Sequence, residues 1–212
     1  MKEILSQEEI DALLDGVDDK EHSIRGQMPM LEMINERFAR YLRISLFKML
    51  RRSTEVTVEA IQKLKFGEYI HSLSVPTSLN LIQMNPLKGT AMLVIEPELV
   101  FLLVDNFFGG EGKLHRKKEG YEFTPAELRL TQMFMEICFA DLVEAWEPVM
   151  AMSFEFSRRE DNPLLVNMVA PDEEVVVNSL HIELEGGGGD IHLSIPYFML
   201  EPSISKQEVH QS

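Results

Sequence analysis

The chain has 212 residues, of which 45 % are hydrophobic, and a formal net charge of −15 at pH 7. This length allows one fair-sized domain with appendages, or two small ones, with a sizeable core. The negative charge argues against a nucleic-acid or anionic-membrane surface and favours partners with basic patches. The single cysteine, Cys138, excludes an internal disulfide, and no apolar run is as long as a membrane span. The N-terminus lacks the residue order of a signal peptide, so we expect a cytosolic protein.

Residues 1–17 predict a short, acidic, amphipathic helix. Ser6 is a suitable N-cap, and Glu9 three residues later completes a capping box. The apolar residues recur at helical spacing on one stripe, which consists of Ile10, Leu13, Leu14 and Val17. Such a short helix is marginal alone in water, so it should order against an apolar surface with a basic rim, on a partner or on its own domain. Residues 18–27 are polar and without periodicity, which predicts a linker.

The next part of the chain predicts a long helix, a strand and a hairpin. An apolar stripe of helical period runs from residue 28 to about 52, and the opposite face carries an excess of Arg and Lys that is usually solvated. A strand is predicted over 55–66, a short helical or irregular connection over 67–73, and the two arms of a hairpin over 77–84 and 90–95. Pro97 then occupies the first turn of a helix predicted over 98–107.

The second half begins with another long helix. Thr124, Pro125 and Glu127 supply an N-cap, an N1 proline and an N3 carboxylate, and the helix is predicted to run to about Trp146. Strands are predicted over 149–156, 164–170 and 174–177, followed by a hairpin over 180–185 and 190–195. One face of that hairpin is apolar, whereas the other carries His181, Glu183, His192 and Ser194. We expect that polar face to be solvated and predict no metal site.

Residues 104–112, VDNFFGGEG, lie between the two halves, where an apolar helix ends on three glycines. Phosphate-binding glycine loops usually follow a strand and open a helix, so a nucleotide site is not expected. A helix stop with a connector and a docking loop for a partner both fit the local sequence.

The two halves resemble each other. Each has a long helix and then strands that run through a proline into an apolar helix start, with Pro97 matched to Pro196. This pattern predicts an α/β domain with approximate two-fold symmetry, built from two helix-plus-meander repeats and preceded by the short helix on its linker.

Several segments together resemble the family of bacterial flagellar motor switch proteins, FliM. These segments are LSQEEIDALL, INERFARYLRISLFKMLRR, VPTSLNLIQMNPLKGTAMLVIEPELVF, VDNFFGGEG and the final ML-EP. The resemblance implies a peptide over 1–17 that binds phosphorylated CheY, a linker over 18–27, a CheC-like middle domain over 28–202 that binds FliG, and a polar tail over 203–212. The family's C-terminal domain, which recruits FliN, has no counterpart in this sequence, which puts FliN binding through it in doubt.

The resemblance also assigns residues. The CheY-binding helix would use Leu5, Ser6, Gln7, Glu9, Ile10, Asp11, Leu13 and Leu14. The FliG loop would use Gly109, Gly110, Glu111 and Gly112, supported by Asp105, Asn106 and Phe107 from the preceding helix. Copies of the middle domain would pack side by side in the cytoplasmic C-ring, peripheral to the inner membrane at the flagellar basal body. No cofactor, nucleic acid or small-molecule substrate is expected.

The middle region is also similar to the CheC-type phosphatases, which use a Glu and an Asn on each repeated long helix. Glu32 and Asn35 keep that spacing in the first helix, whereas the second has Glu136 followed by Phe139, which cannot orient a water. We therefore expect Asn35 to make helix or core hydrogen bonds and the chain not to be an enzyme. Phosphatase activity towards phosphorylated CheY is the alternative.

Overall fold

The computed structural model describes residues 28–110 and 121–201, so the predicted peptide, linker and tail lie outside the described residues. The helices are α1 (Pro29–Leu50), α2 (Phe66–Ser72), α3 (Pro97–Phe107) and α4 (Pro125–Trp146), and residues 197–201 are also helical. The strands are β1 (Glu55–Lys65), β2 (Ser78–Asn85), β3 (Thr90–Ile95), β4 (Ser153–Glu160), β5 (Glu174–Leu184) and β6 (Gly187–Pro196).

The six strands form one antiparallel sheet in the order β1-β5-β6-β3-β2-β4. Exchanging β1, β2 and β3 for β4, β5 and β6 gives the same order in reverse, which is the signature of a two-fold axis. This axis lies between β3 and β6, where Leu93 is paired with Leu193. Each half donates one strand to the hairpin of the other, since β1 pairs with β5 and β4 pairs with β2. The predicted α/β class and its approximate two-fold symmetry are confirmed.

The alternation of side chains along the strands divides the core into two layers. On β3, Ala91, Leu93 and Ile95 join the main core with the apolar faces of α1, α3 and α4. Met92 and Val94 point to the opposite side, where Phe66 and Ile70 of α2 are part of a smaller cluster. The face of the sheet that points away from α1, α3 and α4 is therefore partly covered by α2.

The predicted start of α4 is confirmed in detail. The Thr124 backbone N–H donates to Glu127 Oε2 at 2.8 Å, and the Glu127 N–H donates to Thr124 Oγ1 at 3.3 Å. Tyr121 donates its hydroxyl proton to the same Glu127 oxygen, and the Glu127 side chain is buried. These bonds satisfy two otherwise free backbone donors and fix the point at which the second half begins.

Three sequence-based expectations were wrong. Residues 164–170 are not a strand, because Pro163 starts a 3₁₀ turn and the Asn162 side chain accepts from the Leu164 N–H. The two strands predicted on either side of Asn178 are one strand, β5, in which Asn178 is buried and hydrogen-bonded. The strand predicted over 149–156 begins only at Ser153, since the chain turns after Trp146.

The two prolines matched in the repeat are offset by one residue. Because Leu93 and Leu193 face each other across the axis, Pro196 corresponds to Glu96 and Pro97 corresponds to Tyr197. Among the described helices, none has both the length and the apolar composition that crossing a membrane requires.

Candidate functional site

The C-terminal end of α3 forms an exposed turn. The Phe108 N–H donates to Val104 O at 3.1 Å, and the Gly110 N–H donates to Asp105 O at 2.8 Å. Gly109 takes a φ of +78°, and a Cβ placed on it would meet no atom within 4 Å. A Cβ on Gly110 would lie 2.1 Å from Asp105 Oδ1, so the carboxylate rests directly against this glycine. The turn needs one glycine for its backbone conformation and the next for close approach.

Asn106 fixes this turn to the rest of the domain. Its side chain is buried, and Nδ2 donates both to Leu102 O at 2.9 Å and to Glu185 O at 3.0 Å. Glu185 follows β5 in the tight β5–β6 turn and forms an ion pair with Arg52 at the end of α1. The end of α3, the β5–β6 turn and the end of α1 are therefore connected by polar contacts.

Two aromatic rings stand on this fixed base. Phe107 and Phe108 pack edge to face, with ring centroids 5.4 Å apart and an interplanar angle of 86°. Phe107 is 39 % exposed and Phe108 is 70 % exposed. An exposed pair of large apolar rings on a rigid support is typical of a protein-docking site.

The structure brings the described members of the predicted loop together, and they have different roles in the turn. Asn106 is buried and supports the turn, Asp105 covers Gly110, and Phe107 is partly exposed. Glu111 and Gly112 lie outside the described residues. Sequence reasoning missed Phe108, the more exposed ring, and also the contact with Glu185. The doubled Phe before the glycines was a signal for the ring, whereas the Glu185 contact depends on the fold.

A second polar cluster lies on the covered side of the sheet, near the two-fold axis. Tyr69 Oη lies 3.0 Å from His192 Nδ1, and His192 Nε2 lies 3.8 Å from Glu96 Oε1. His181 Nδ1 lies 2.5 Å from Asp190 Oδ1 on the neighbouring strand. Glu96, Asp190 and His192 each bring one potential ligand atom within 4.8 Å of the others, a spacing that a metal ion could bridge.

This cluster corrects the expectation of a solvated sheet face. Ser194 is fully buried, and the His192 side chain is only 12 % exposed. Burial lowers the pKa of the His192 imidazole, whereas the hydrogen bond to Asp190 raises the pKa of His181. Burial, together with the nearby Asp190 and Glu98 carboxylates, raises the pKa of Glu96 to about 7. The cause of the error is α2, which covers residues that the hairpin alone would expose.

The Glu96 carboxyl should make stability depend on pH. Between about 4.5 and about 7 the folded chain keeps a proton that the unfolded chain has released, so this group's contribution to stability falls as pH rises through that window. We expect Glu96→Gln to raise the melting temperature at pH 8 and to leave it nearly unchanged at pH 4.5, as measured by circular dichroism. Glu59→Gln, at an exposed position of β1, is the control, and an equal gain in that variant would contradict the assignment.

Glu32 and Asn35, the pair on α1 with the phosphatase spacing, lie in different surroundings. Glu32 lines an open cleft of about 230 Å³ between α1 and β1. Asn35 is 4 % exposed and donates from Nδ2 to Asn178 Oδ1 at 2.9 Å, which confirms the expected core hydrogen bond. Both long helices begin with proline at the first position, and, counted from that proline, the position of Asn35 in α1 is that of Thr131 in α4. Asn35 is not placed to orient water on a partner's acyl phosphate.

Comparison with known proteins identifies the relatives of this chain. Residues 24–211 match the family described as flagellar motor switch protein FliM. FliM of Pseudomonas aeruginosa is 54 % identical over 223 residues, covering 95 % of this chain and 69 % of the relative. The chain thus spans about two thirds of that relative's length.

Solved structures show the same fold. The FliM middle domain of Vibrio alginolyticus is 53 % identical and superimposes with a TM-score of 0.76, covering 82 % of this chain and 97 % of that one. A chain of the FliG–FliM complex from H. pylori is 27 % identical with a TM-score of 0.79, covering 85 % and 98 % respectively. The chain therefore belongs to the FliM family of flagellar motor switch proteins.

Proposed function

We propose that this chain is a switch component of the cytoplasmic C-ring, at the inner-membrane side of the flagellar basal body. Its input is phosphorylated CheY, bound by the peptide over 1–17, and its output is a contact with FliG through residues 105–112. Copies of the domain pack side by side in the ring. The observation that best supports the FliG contact is the exposed Phe107–Phe108 pair on its glycine turn. A relative of the same fold has been solved in complex with FliG.

The turn is built to dock without rearranging. Asn106 holds it to the β5–β6 turn, and α3 packs against β6 through Leu99, which is fully buried. Because the backbone is already fixed, little conformational entropy is lost when the rings are covered. A tilt imposed on the domain would move the rings together with the sheet, which suits a part that transmits a change of orientation.

We expect Phe108→Ser to weaken FliG binding about tenfold or more. Burying a Phe side chain stabilises a complex by roughly 1.5–3 kcal/mol, and each 1.4 kcal/mol corresponds to about a factor of ten in affinity. The measurement is calorimetric titration of FliG into the full chain. Phe156→Ser is the matched control, because Phe156 is 47 % exposed on β4, away from the turn. Equal losses in both variants would contradict the proposal.

The input is proposed for the acidic helix over 5–14. Its apolar stripe suits a shallow groove, and its carboxylates suit a basic rim around that groove. Once bound, CheY is held beside the domain at raised effective concentration, so a second and weaker contact can bias the ring.

We expect the full chain to bind phosphorylated CheY more tightly than unphosphorylated CheY in calorimetric titrations. In a synthetic peptide of residues 1–20, Leu13→Ala, on the apolar stripe, should weaken the complex with phosphorylated CheY about tenfold, since one buried Leu side chain is lost. Lys20→Ala in the linker is the control and should bind normally. Unchanged affinity for Leu13→Ala would exclude the helix as the binding element, while the FliG result would stand independently.

A further inference from the structure

An apolar patch lies on the outer face of α1. Ile44 is 46 % exposed and Phe47 is 53 % exposed, and their spacing of three residues places them side by side on the helix. Leu42, Leu46 and Leu50 occupy the opposite face and are buried in the core. The inward stripe therefore accounts for the core packing of α1, and Ile44 and Phe47 lie outside the buried core. We name these two residues the α1 patch.

The α1 patch has a basic rim. Arg40, Arg43 and Lys48 are exposed on the same side of the helix, one turn or less from the patch. Within residues 28–110 and 121–201, none of these three side chains takes part in an ion pair, although Lys48 lies near enough to Asp141 of α4 to attract its carboxylate. Since the whole chain carries a formal net charge of −15, this is a local excess of positive charge in an acidic protein. An apolar centre with basic edges favours an acidic, amphipathic occupant.

The chain itself contains a segment of that chemistry. Residues 5–17 have an apolar stripe of helical period, and the acidic positions around it are Glu8, Glu9, Asp11 and Asp15. Because so short a helix is marginal alone in water, it gains most of its order from an apolar surface. The α1 patch offers that surface together with charges of the opposite sign.

The linker is long enough for this contact. Ten residues, 18–27, join the segment to Met28, which is buried where α1 begins. Ten residues span at most about 33–36 Å when extended. At a rise of about 1.5 Å per residue, Arg40 lies roughly 17 Å and Phe47 roughly 27 Å along α1 from its start. The segment can therefore lie antiparallel to α1, with Val17 towards Arg40 and Leu5 towards the end of α1.

We propose that residues 5–17 dock in cis on the α1 patch whenever no partner holds them. The tether gives the segment an effective concentration on the order of 1 mM at the patch, so a dissociation constant of about 0.1 mM would keep it docked about 90 % of the time. A partner that binds the segment must compete with this docking. When the segment is docked about 90 % of the time, only about a tenth of it is free, so the partner's apparent dissociation constant rises about tenfold. The contact does not depend on the identity of that partner.

A labelled synthetic peptide of residues 1–17 tests this by fluorescence anisotropy. The receptor is the full chain with Leu13→Asp and Leu14→Asp, which disable its own segment and leave the α1 patch open. We expect sub-millimolar binding to this receptor, about tenfold weaker binding when Phe47→Ser is added, and unchanged binding when Leu164→Ser is added. Leu164 is a matched control, because it is 67 % exposed and lies outside α1. The wild-type chain should bind the peptide several-fold more weakly than the receptor, since its own segment competes.

Two results would overturn the proposal. One is a dissociation constant that Phe47→Ser leaves unchanged. The other is a dimer, seen by light scattering of the wild-type chain, that Phe47→Ser dissociates while the peptide fails to bind the open receptor. The occupant of the α1 patch would then be a second copy of the chain.

Raising the salt concentration to about 1 M should weaken the peptide complex, because the basic rim is exposed and its charges are screened by salt. Binding that is indifferent to salt would contradict the role given to Arg40, Arg43 and Lys48.

Discussion

Replacing Asn178 with alanine is expected to lower the free energy of unfolding by about 3 kcal/mol. Asn178 is 1 % exposed, its Nδ2 donates to Leu193 O at 3.1 Å, and its Oδ1 accepts from Asn35 at 2.9 Å. Alanine would leave the buried Asn35 amide without its acceptor and would remove one donor from the Leu193 carbonyl, and a buried group that loses its partner costs about 1–3 kcal/mol. Urea unfolding followed by circular dichroism would measure the loss.

The two-fold symmetry supplies an internal comparison. Asn80 on β2 donates to Leu93 O at 3.1 Å, as Asn178 does to Leu193, so the two side chains occupy equivalent places on either side of the axis. Asn80 has no link to a helix asparagine like that between Asn178 and Asn35; its other side-chain bonds go to Ser78. Asn80→Ala should therefore cost less than Asn178→Ala, and exposed Asn167→Ala should cost little. A loss for Asn178→Ala no larger than that for Asn167→Ala would refute the network's role.

Gly189→Ala should destabilise the domain by about 1–3 kcal/mol, the usual cost of overpacking a filled core. Gly189 is buried on β6, and a Cβ there would lie 2.7 Å from the Leu99 backbone nitrogen and 2.9 Å from Leu99 Cα. Those atoms belong to the first turn of α3, so the added carbon cannot be accommodated by a side-chain rotation. Relief requires a shift of α3, which carries Phe107 and Phe108 at its other end.

We expect Gly189→Ala to lower the melting temperature and to change the affinity for FliG measured by titration. Gly109→Ala is the comparison: its added carbon meets open space, but its φ of +78° makes a side chain there cost about 1 kcal/mol. We expect Gly109→Ala to lower stability less than Gly189→Ala does. Equal melting temperatures for Gly189→Ala and the wild type would show that α3 does not rest on β6 as described.

The glycines of the β5–β6 region are needed for two different structural reasons, which the local sequence does not distinguish. Four consecutive glycines, 186–189, predict a flexible turn, and Gly186 and Gly187 do take positive φ values. Gly188 and Gly189 lie further into β6, which begins at Gly187, and there the lack of a side chain leaves room for His181 and Leu99. A run of one residue type thus serves two purposes, and only the packing of α3 on β6 separates them.

The candidate site was predicted in outline. The helix over 98–107 and its end at the glycines follow from residues close together in sequence, whereas the use of the turn as a docking loop stays a prediction. The buried position of Asn106 and its bond to Glu185 could not be predicted, because 79 positions separate the two residues. For the same reason Asn35 could be expected to form a core hydrogen bond, but its partner Asn178 could not be named.

By itself, the sequence determined the long helices, the hairpins, the capping box at Thr124 and the two-fold repeat. Each of these is set by spacing, capping or turn chemistry within a few residues, which is local information. Only the tertiary structure decided that each half lends a strand to the other, that α2 covers the face bearing His192 and Ser194, and that Phe108 is the more exposed ring at the end of α3. Those properties depend on which distant surfaces exclude water together. A short window of sequence shows which face of an element is apolar, but because hydrophobic burial is non-directional it does not show which surface covers that face.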